Sequence, residues 1–171
     1  DSSEAVTINT AADFTNLIGS SAHIDASVRI SSAFRGSDLS GLSGLVCVRD
    51  LFIEGNPNLR SLSGLDNMRV VKQSVTISRG SRLTDMTGLS GLEGVGRNVL
   101  LFDNGALVDL SSLSSLSWIG GTLTIREHDV LPSVSGLGGL RQIDQSLVFT
   151  NNAMLTGVEG LSGLAGLGAN L

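Results

Sequence analysis

Cysteine, proline and aromatic residues are scarce in this chain: its 171 residues include one cysteine, two prolines, no tyrosine and 4% aromatics. Because Cys47 stands alone, no disulfide can form within the chain, and stability must come from a packed core. No Asn-x-Ser/Thr sequence occurs, which fits a prokaryotic protein or a eukaryotic one without N-glycans. The most apolar tail, residues 158–171, is short and contains Glu159, so no membrane-spanning segment is predicted.

The charged residues argue against nucleic acid and anionic membranes as partners. The formal net charge is -5, and the 11 basic residues are scattered along the chain. A surface that binds nucleic acid or an anionic membrane has clustered lysine and arginine, so neither partner is predicted. The sequence also has no phosphate-binding loop, no paired cysteine ligands and no nucleophile elbow. We therefore expect neither an enzyme nor a cofactor.

Two groups of acidic residues are candidates for chemistry. His128 lies between Glu127 and Asp129, but consecutive residues of a turn point in different directions and no second histidine is near, so a metal site is not predicted. Asp85 and Asp109 are 24 residues apart and would lie about 5 Å apart on adjacent coils. The equivalent position in other repeats holds a small residue: Ser61, Ser133 and Gly157. We therefore interpret the carboxylate pair as solvent-facing and not catalytic.

A 24-residue repeat runs through the chain and is its strongest signal. An apolar residue recurs at the start of each predicted strand, with another two residues later; the openers are Val6, Val28, Leu51, Val75, Val99, Leu123 and Leu147. The first two steps are 22 and 23 residues long, and the later ones are 24. A repeated unit of this size cannot bury its apolar face alone, so stacked units should form one continuous core. The 22 glycines fit such a stack, since a coil needs them at its bends.

Alternation within each strand predicts which side chains face the core. In the fourth strand Val75 and Ile77 point inward and Thr76 points outward, and helical spacing explains the pattern less well. Three further columns should point inward: Leu59, Leu83, Leu107, Leu131 and Leu155; Leu62, Met86, Leu110, Val134 and Val158; Leu65, Leu89, Leu113, Leu137 and Leu161.

A turn is predicted after each of these strands. Equivalent positions in the turns of successive coils form another column of residues: Asn56, Gly80, Asn104, His128 and Asn152. Asparagine and glycine tolerate left-handed backbone angles. Stacked asparagine side chains can also satisfy the backbone groups of adjacent coils. We interpret this column as structural.

Several segments resemble one known family, the receptor L-domain, which is the ligand-binding module of the insulin and epidermal growth factor receptors. These segments are residues 6–9 (VTIN), 62–65 (LSGL), 119–125 (IGGTLTI) and 149–155 (FTNNAML). The match is closer still to L-domain-like proteins of fungal cell walls and of bacterial and protist surfaces. The resemblance covers nearly the whole chain and implies a right-handed β-helix that recognises a ligand.

We therefore expect an all-β protein with one domain, residues 1–171, built as a right-handed β-helix of about seven coils of 22–24 residues. No linker rich in proline or charge divides it, and residues 1–27 should form an N-terminal coil that acts as a cap. A leucine-rich-repeat horseshoe is the alternative fold. Spacing favours the β-helix, because the apolar residue before each opener precedes it by four positions instead of three: Val71, Val95, Ile119 and Ile143.

The outward side of the strands carries apolar side chains that form the candidate binding surface. Its residues, called the strand face below, are Phe52, Thr76, Leu100, Phe102, Thr124 and Val148. Exposed apolar side chains in one cluster commonly mark an interaction surface. The family resemblance also implies that ligands bind to the sheet. We predict a non-enzymatic recognition or adhesion module that binds a protein or glycan partner through this face.

Two alternative functions stay open at the level of the sequence. A structural or filament-forming subunit would self-associate by stacking its coil ends, whose strand edges offer unpaired backbone groups. An ice- or crystal-binding protein would use ordered hydroxyls, such as the pair Thr122 and Thr124 or the bend column Ser40, Ser63, Thr87, Ser111 and Ser135. Hydroxyls at bends more often cap local backbone groups.

The two ends of the sequence carry further predictions. The chain starts at Asp1 without methionine, which fits a mature extracellular or cell-surface protein whose signal peptide has been removed. Leu171 lies 24 residues beyond Leu147 and predicts an eighth strand, followed by more chain or by a C-terminal cap.

Overall fold

A computed structural model describes residues 5–14 and 23–168, and within these ranges the chain forms two parallel sheets of seven strands each. The long-strand sheet consists of β1 (Val6–Ile8), β3 (Val28–Ile30), β5 (Leu51–Glu54), β7 (Val75–Ser78), β9 (Val99–Phe102), β11 (Leu123–Arg126) and β13 (Leu147–Thr150). The short-strand sheet consists of β2 (His23–Ile24), β4 (Cys47–Val48), β6 (Val70–Val71), β8 (Gly94–Val95), β10 (Trp118–Ile119), β12 (Gln142–Ile143) and β14 (Gly166–Leu167).

Each strand pairs in parallel with the equivalent strand of the next coil, so the chain is a β-solenoid with about six turns between β1 and β13. All seven predicted openers begin strands of the long-strand sheet, which confirms the period and the fold class. The apolar residues four positions earlier end strands of the short-strand sheet, as Val71 does in β6. They therefore belong to a second sheet, as the β-helix interpretation required.

In the described part of the chain, four 3₁₀ turns form bends between the two sheets: Ser40–Leu42, Ser111–Leu113, Ser135–Leu137 and Glu159–Leu161. In each of them the first N–H points toward the preceding residues and has no partner inside the turn. Asp13 and Phe14 are also helical. Each bend therefore lies between a strand of the long-strand sheet and the next strand of the short-strand sheet.

The core runs continuously between the two sheets, from Ile8 to Ile143. Val75, Ile77 and the equivalent residues of β3, β5, β9 and β11 are buried, as predicted. A further inward column, not included in the predicted set, is also buried: Leu45, Met68, Leu92, Leu116 and Leu140. Cys47 is buried and makes no disulfide.

The two ends of the stack are covered differently. In the first coil Ile8 is fully buried, and Phe14 packs against Phe34 with ring centroids 5.5 Å apart. In the last coil the predicted inward residue Val158 is 50% exposed, so the inward prediction is wrong there. Within the described part of the chain a coil stacks on only one side of Val158, and a side chain in a solenoid is buried by coils on both sides. Leu171 and part of the predicted cap, residues 15–22, lie outside the described residues.

Candidate functional site

The asparagine column after the long strands is a hydrogen-bonded ladder, as predicted. Asn104 Nδ2 donates to the carbonyl of Ile77 at 3.0 Å, and Asn104 Oδ1 accepts the N–H of Gly80 at 3.0 Å. Asn152 Nδ2 donates in the same way to the carbonyl of Ile125 at 2.9 Å. Each amide therefore bonds to the coil before its own. The ladder satisfies backbone groups that are buried where the chain leaves the sheet.

The left-handed residue lies one position before the ladder, not within it. Positive φ angles of 67°, 55°, 51°, 58° and 54° occur at Gly55, Arg79, Asp103, Glu127 and Asn151 respectively. The tolerance of asparagine for left-handed angles is therefore not what places it in this column. The tight turn needs the positive φ at the residue that leaves the strand, and the asparagine follows with its side chain aimed inward. Left-handed angles cost a non-glycine residue about 1 kcal/mol, so the ladder must offset that cost in the coils where this residue is not glycine.

His128 occupies one rung of the ladder and is fully buried. Its Nε2 lies 3.4 Å from Asn104 Nδ2, and its backbone N–H donates to Asn152 Oδ1 at 3.2 Å. Burial lowers the pKa of His128 from the ordinary value of 6.5, although the charges of Asp103 and Asp129 act in the opposite direction. His128 is therefore a neutral spacer in the ladder near neutral pH.

Replacing His128 with asparagine should reduce the loss of stability at acidic pH. The folded pKa is depressed, so the stability that neutral His128 contributes is fully present above pH 6.5 and declines as pH falls below it. We expect the wild type to lose about 1 kcal/mol of unfolding free energy between about pH 7.5 and about pH 5.5, and His128→Asn to lose clearly less. Urea unfolding at the two pH values measures this difference. Equal pH dependence in wild type and His128→Asn would show that another group titrates.

The acidic column that contains Asp85 and Asp109 caps the bends. Asp109 Oδ1 accepts the N–H of Ser111 at 2.8 Å, and Asp85 Oδ1 accepts the N–H of Thr87 at 2.8 Å. Burial alone would raise the pKa of Asp85, but hydrogen bonds from Thr87 and Thr84 outweigh it and lower the pKa below its usual 3.8. A capping acceptor stabilises the turn that follows it. The acceptors at these positions organise the backbone.

The hydroxyl column at the bends takes part in the same local bonding. Ser61 Oγ donates to Ser63 Oγ at 3.1 Å, and Ser111 Oγ donates to Asp109. The acceptor for the bend N–H lies two residues before the hydroxyl column, at Asp38, Ser61, Asp85, Asp109 and Ser133. The hydroxyls that could form an ordered array for ice are therefore partly engaged with their own turns.

The strand face lies on the outward side of the long-strand sheet, and all six of its residues are half-buried. The register pairs Phe52 with Thr76, Thr76 with Leu100, Leu100 with Thr124, and Thr124 with Val148. Five of the residues thus form one straight column in which apolar and threonine side chains alternate from coil to coil. Phe102 lies two residues beyond Leu100 on β9 and points to the same side.

Two arginines cover the aromatic rings of the strand face. The guanidinium of Arg29 lies 4.4 Å from the centroid of Phe52, and that of Arg126 lies 4.2 Å from the centroid of Phe102. Arg29 also forms an ion pair with Glu54. Each arginine is the register partner of the phenylalanine that it covers. Sequence analysis placed Phe52 and Phe102 on the strand face but missed their pairing with the two arginines, which the 23- and 24-residue spacings could have indicated.

A polar cleft adjoins the Phe52 end of the strand face. It has a volume of about 290 Å³ and is lined by Arg29, Glu54, Gly55, Arg79 and neighbouring residues. The cleft and the two arginine–phenylalanine pairs give the face a mixed apolar and cationic character. Such a surface can bury apolar groups while arginine donates hydrogen bonds to carbonyl or carboxylate oxygens.

Several exposed apolar side chains lie outside the strand face, among them Val108, Trp118 and Val130. Trp118 is the only tryptophan of the chain and was not identified as a candidate from the sequence. Its position directly before the inward Ile119 could have indicated that it faces outward.

Among the described residues no helix is long and apolar enough to span a membrane. No group of three His, Cys, Asp or Glu side chains in the same ranges is placed to hold a metal ion. Comparison of the chain with protein-family models, with curated proteins and with solved structures finds no match. The two parallel sheets classify the chain as a parallel β-solenoid.

Proposed function

We propose that this β-solenoid is a non-enzymatic recognition or adhesion module of the cell surface or extracellular space, which binds a protein partner through the strand face. The resemblance of its repeats to receptor L-domains supports a location at the cell surface or outside the cell, and it supports binding of the partner through the sheet. The observation that carries the proposal is the pair of arginine–phenylalanine contacts on a half-buried apolar column. Interface cores are enriched in aromatic residues and arginine, which favours a protein over a glycan as the partner of this face.

The rigidity of the sheet adds to this support. Five of the six strand-face residues lie on β5, β7, β9 and β11, which are paired on both sides, and Val148 lies on β13 at the end of the described sheet. Arg29 is held by Glu54 as well as by Phe52, so its guanidinium is already oriented before a partner arrives. A surface whose side chains are ordered in advance loses less conformational entropy on binding. The contact side chains would therefore change little in the complex.

Replacing both Phe52 and Phe102 with serine should weaken partner binding about tenfold or more, because aromatic residues at an interface core carry much of the affinity. The partner is first captured by a photo-crosslinking residue placed at Thr76, the centre of the column, on intact producing cells. Its affinity for wild type and variant is then measured by surface plasmon resonance with purified components.

The double variant Val108→Ser and Val130→Ser is the matched control. It removes two apolar side chains that are 50% and 40% exposed and lie outside the strand face. This control should bind like the wild type. A partner whose affinity is unaffected by the phenylalanine changes would contradict the proposal, as would the absence of any partner crosslinked from Thr76. A glycan crosslinked at Thr76 would replace the proposed protein partner.

Self-association is the second candidate, and the exposed apolar side chains of the last described coil favour it. Leu147, Phe149 and Leu155 there are only partly buried, and Val158 and Leu167 are half exposed. Edge strands next to exposed apolar groups can pair with another copy. Light scattering over a concentration series tests this candidate: growing mass that is abolished by Val158→Asp, but not by the phenylalanine changes, would assign assembly to the coil end.

A further inference from the structure

The asparagine ladder contains a chemically labile dipeptide that the proposed function does not use. Asn104 is followed by Gly105, and no other asparagine of the chain precedes a glycine. In an open chain, the backbone nitrogen of a residue can attack the side-chain amide of the asparagine before it. Glycine favours this attack, because it has no Cβ to hinder the approach and its backbone adopts a wide range of angles. Asn104 is therefore the asparagine of this chain that is most prone to deamidate.

The fold holds both polar atoms of this side-chain amide. Oδ1 of Asn104 accepts the N–H of Gly80 at 3.0 Å, and Nδ2 donates to the carbonyl of Ile77 at 3.0 Å. The side chain is fully buried, two residues after β9, which pairs with β7 and β11. To turn its Cγ toward the nitrogen of Gly105, Asn104 must break both hydrogen bonds and leave buried groups without partners. The folded coil also keeps away the water that the reaction consumes.

We propose that the Asn104–Gly105 step is a deamidation site that the folded solenoid blocks and that reacts when the coil containing β9 opens. The backbone nitrogen of Gly105 gives its proton to solvent base and forms a bond to Cγ of Asn104. The bond from Cγ to Nδ2 breaks, and Nδ2 leaves as ammonia. Water then adds to either carbonyl of the resulting succinimide and leaves aspartate or isoaspartate at position 104. Water is the only co-reactant, and no atom changes its oxidation state.

The product of this reaction cannot rebuild its rung of the ladder. A carboxylate has no N–H to donate to the carbonyl of Ile77, so two oxygens would face each other in a buried place. Isoaspartate also adds a methylene group to the backbone, which disturbs the spacing of the coil against its neighbours. A chain that stays open long enough to react therefore refolds to a less stable solenoid. The modification is a lasting record that the coil has opened.

Peptide mapping by mass spectrometry tests the block. The full chain is kept at neutral pH and body temperature in buffer and, in parallel, in concentrated guanidinium chloride. A folded domain populates its open state at about one part in a thousand or less. When half of Asn104 has reacted in the denaturant, less than about 1% should therefore have reacted in buffer. Asn152 is the internal control, because it lies in the same ladder but precedes Ala153. In the denaturant Asn152 should react several-fold more slowly than Asn104.

Asn104→Asp, the direct product of the reaction, measures the consequence for the fold. It should unfold at a clearly lower urea concentration than the wild type. Asn151→Asp is the matched control, since it makes the same change at an exposed residue one position before the ladder, and it should unfold like the wild type. The proposal is overturned if Asn104 reacts in buffer within about tenfold of its rate in denaturant. It is also overturned if Asn152 reacts as fast as Asn104 in denaturant, or if Asn104→Asp is as stable as Asn151→Asp.

Discussion

Leu101→Asp should abolish folding of the solenoid. Leu101 is 1% exposed in β9 and lies in register between Ile77 and Ile125 of the neighbouring coils. Loss of the buried leucine costs about 2–5 kcal/mol, and burial of an unpaired carboxylate costs several more. Since domains are stable by only about 5–15 kcal/mol, the sum is comparable with the whole stability. Far-ultraviolet circular dichroism and urea unfolding at neutral pH should show no cooperative transition.

Leu100→Asp is the matched control, since it introduces the same charge one residue earlier on the outward side of the same strand. Leu100 is half-buried on the strand face, where a carboxylate stays hydrated. We expect this variant to fold and to lose about 1 kcal/mol or less. A soluble Leu101→Asp protein as stable as Leu100→Asp would refute the assignment of the inward columns.

Gly88→Ala should destabilise the protein by about 3 kcal/mol or more. Gly88 has a φ of +111°, a backbone conformation that side chains rarely adopt. A Cβ atom there would also be 1.9 Å from the carbonyl oxygen of Leu62 on the preceding coil. Both effects act on backbone, so a rotamer change cannot relieve them. Thermal and urea unfolding would measure the loss, and the retained far-ultraviolet spectrum would show whether the fold persists.

Gly105→Ala is the control for this change. The nearest atom to an added Cβ there is Asp129 Oδ2 at 4.0 Å, which is an ordinary contact. Replacing a glycine by alanine at such a position reduces the entropy of the unfolded chain and often stabilises by about 0.4–1 kcal/mol. Similar unfolding free energies for the two variants would mean that the coils do not approach each other closely at Gly88.

The parts of this fold that depend on side-chain periodicity could be predicted from the sequence. The openers from Val6 to Leu147 and the inward columns follow from the alternation within strands combined with the 24-residue repeat. The asparagine ladder could be predicted for the same reason, because an amide that recurs once per coil meets its equivalents in the stack. These features need only the spacing of residues.

Features that depend on turn geometry or on side-chain reach were not predictable in this way. The left-handed angle falls on Arg79 and Glu127 as well as on Gly55, Asp103 and Asn151, so residue type gives no consistent signal for it. The support of Trp118 by Gly94 requires knowledge of which strand is the neighbour and how far the indole leans. The outward direction of the strand-face residues follows from alternation within the strands, but the arginines over Phe52 and Phe102 were not predicted.

The constant register of the stack has a consequence for how sequence variation acts on this protein. From the third coil onward, residues that are in register on neighbouring strands of one sheet are 24 positions apart in the sequence, as Gly94 and Trp118 are. Adjacent residues within a strand point to opposite sides of the sheet. Non-additive effects of double mutations should therefore concentrate at separations of 24 residues, and pairs of neighbours in the chain should behave almost independently. In an evolving population such a protein would change by compensating pairs, each pair spanning one coil.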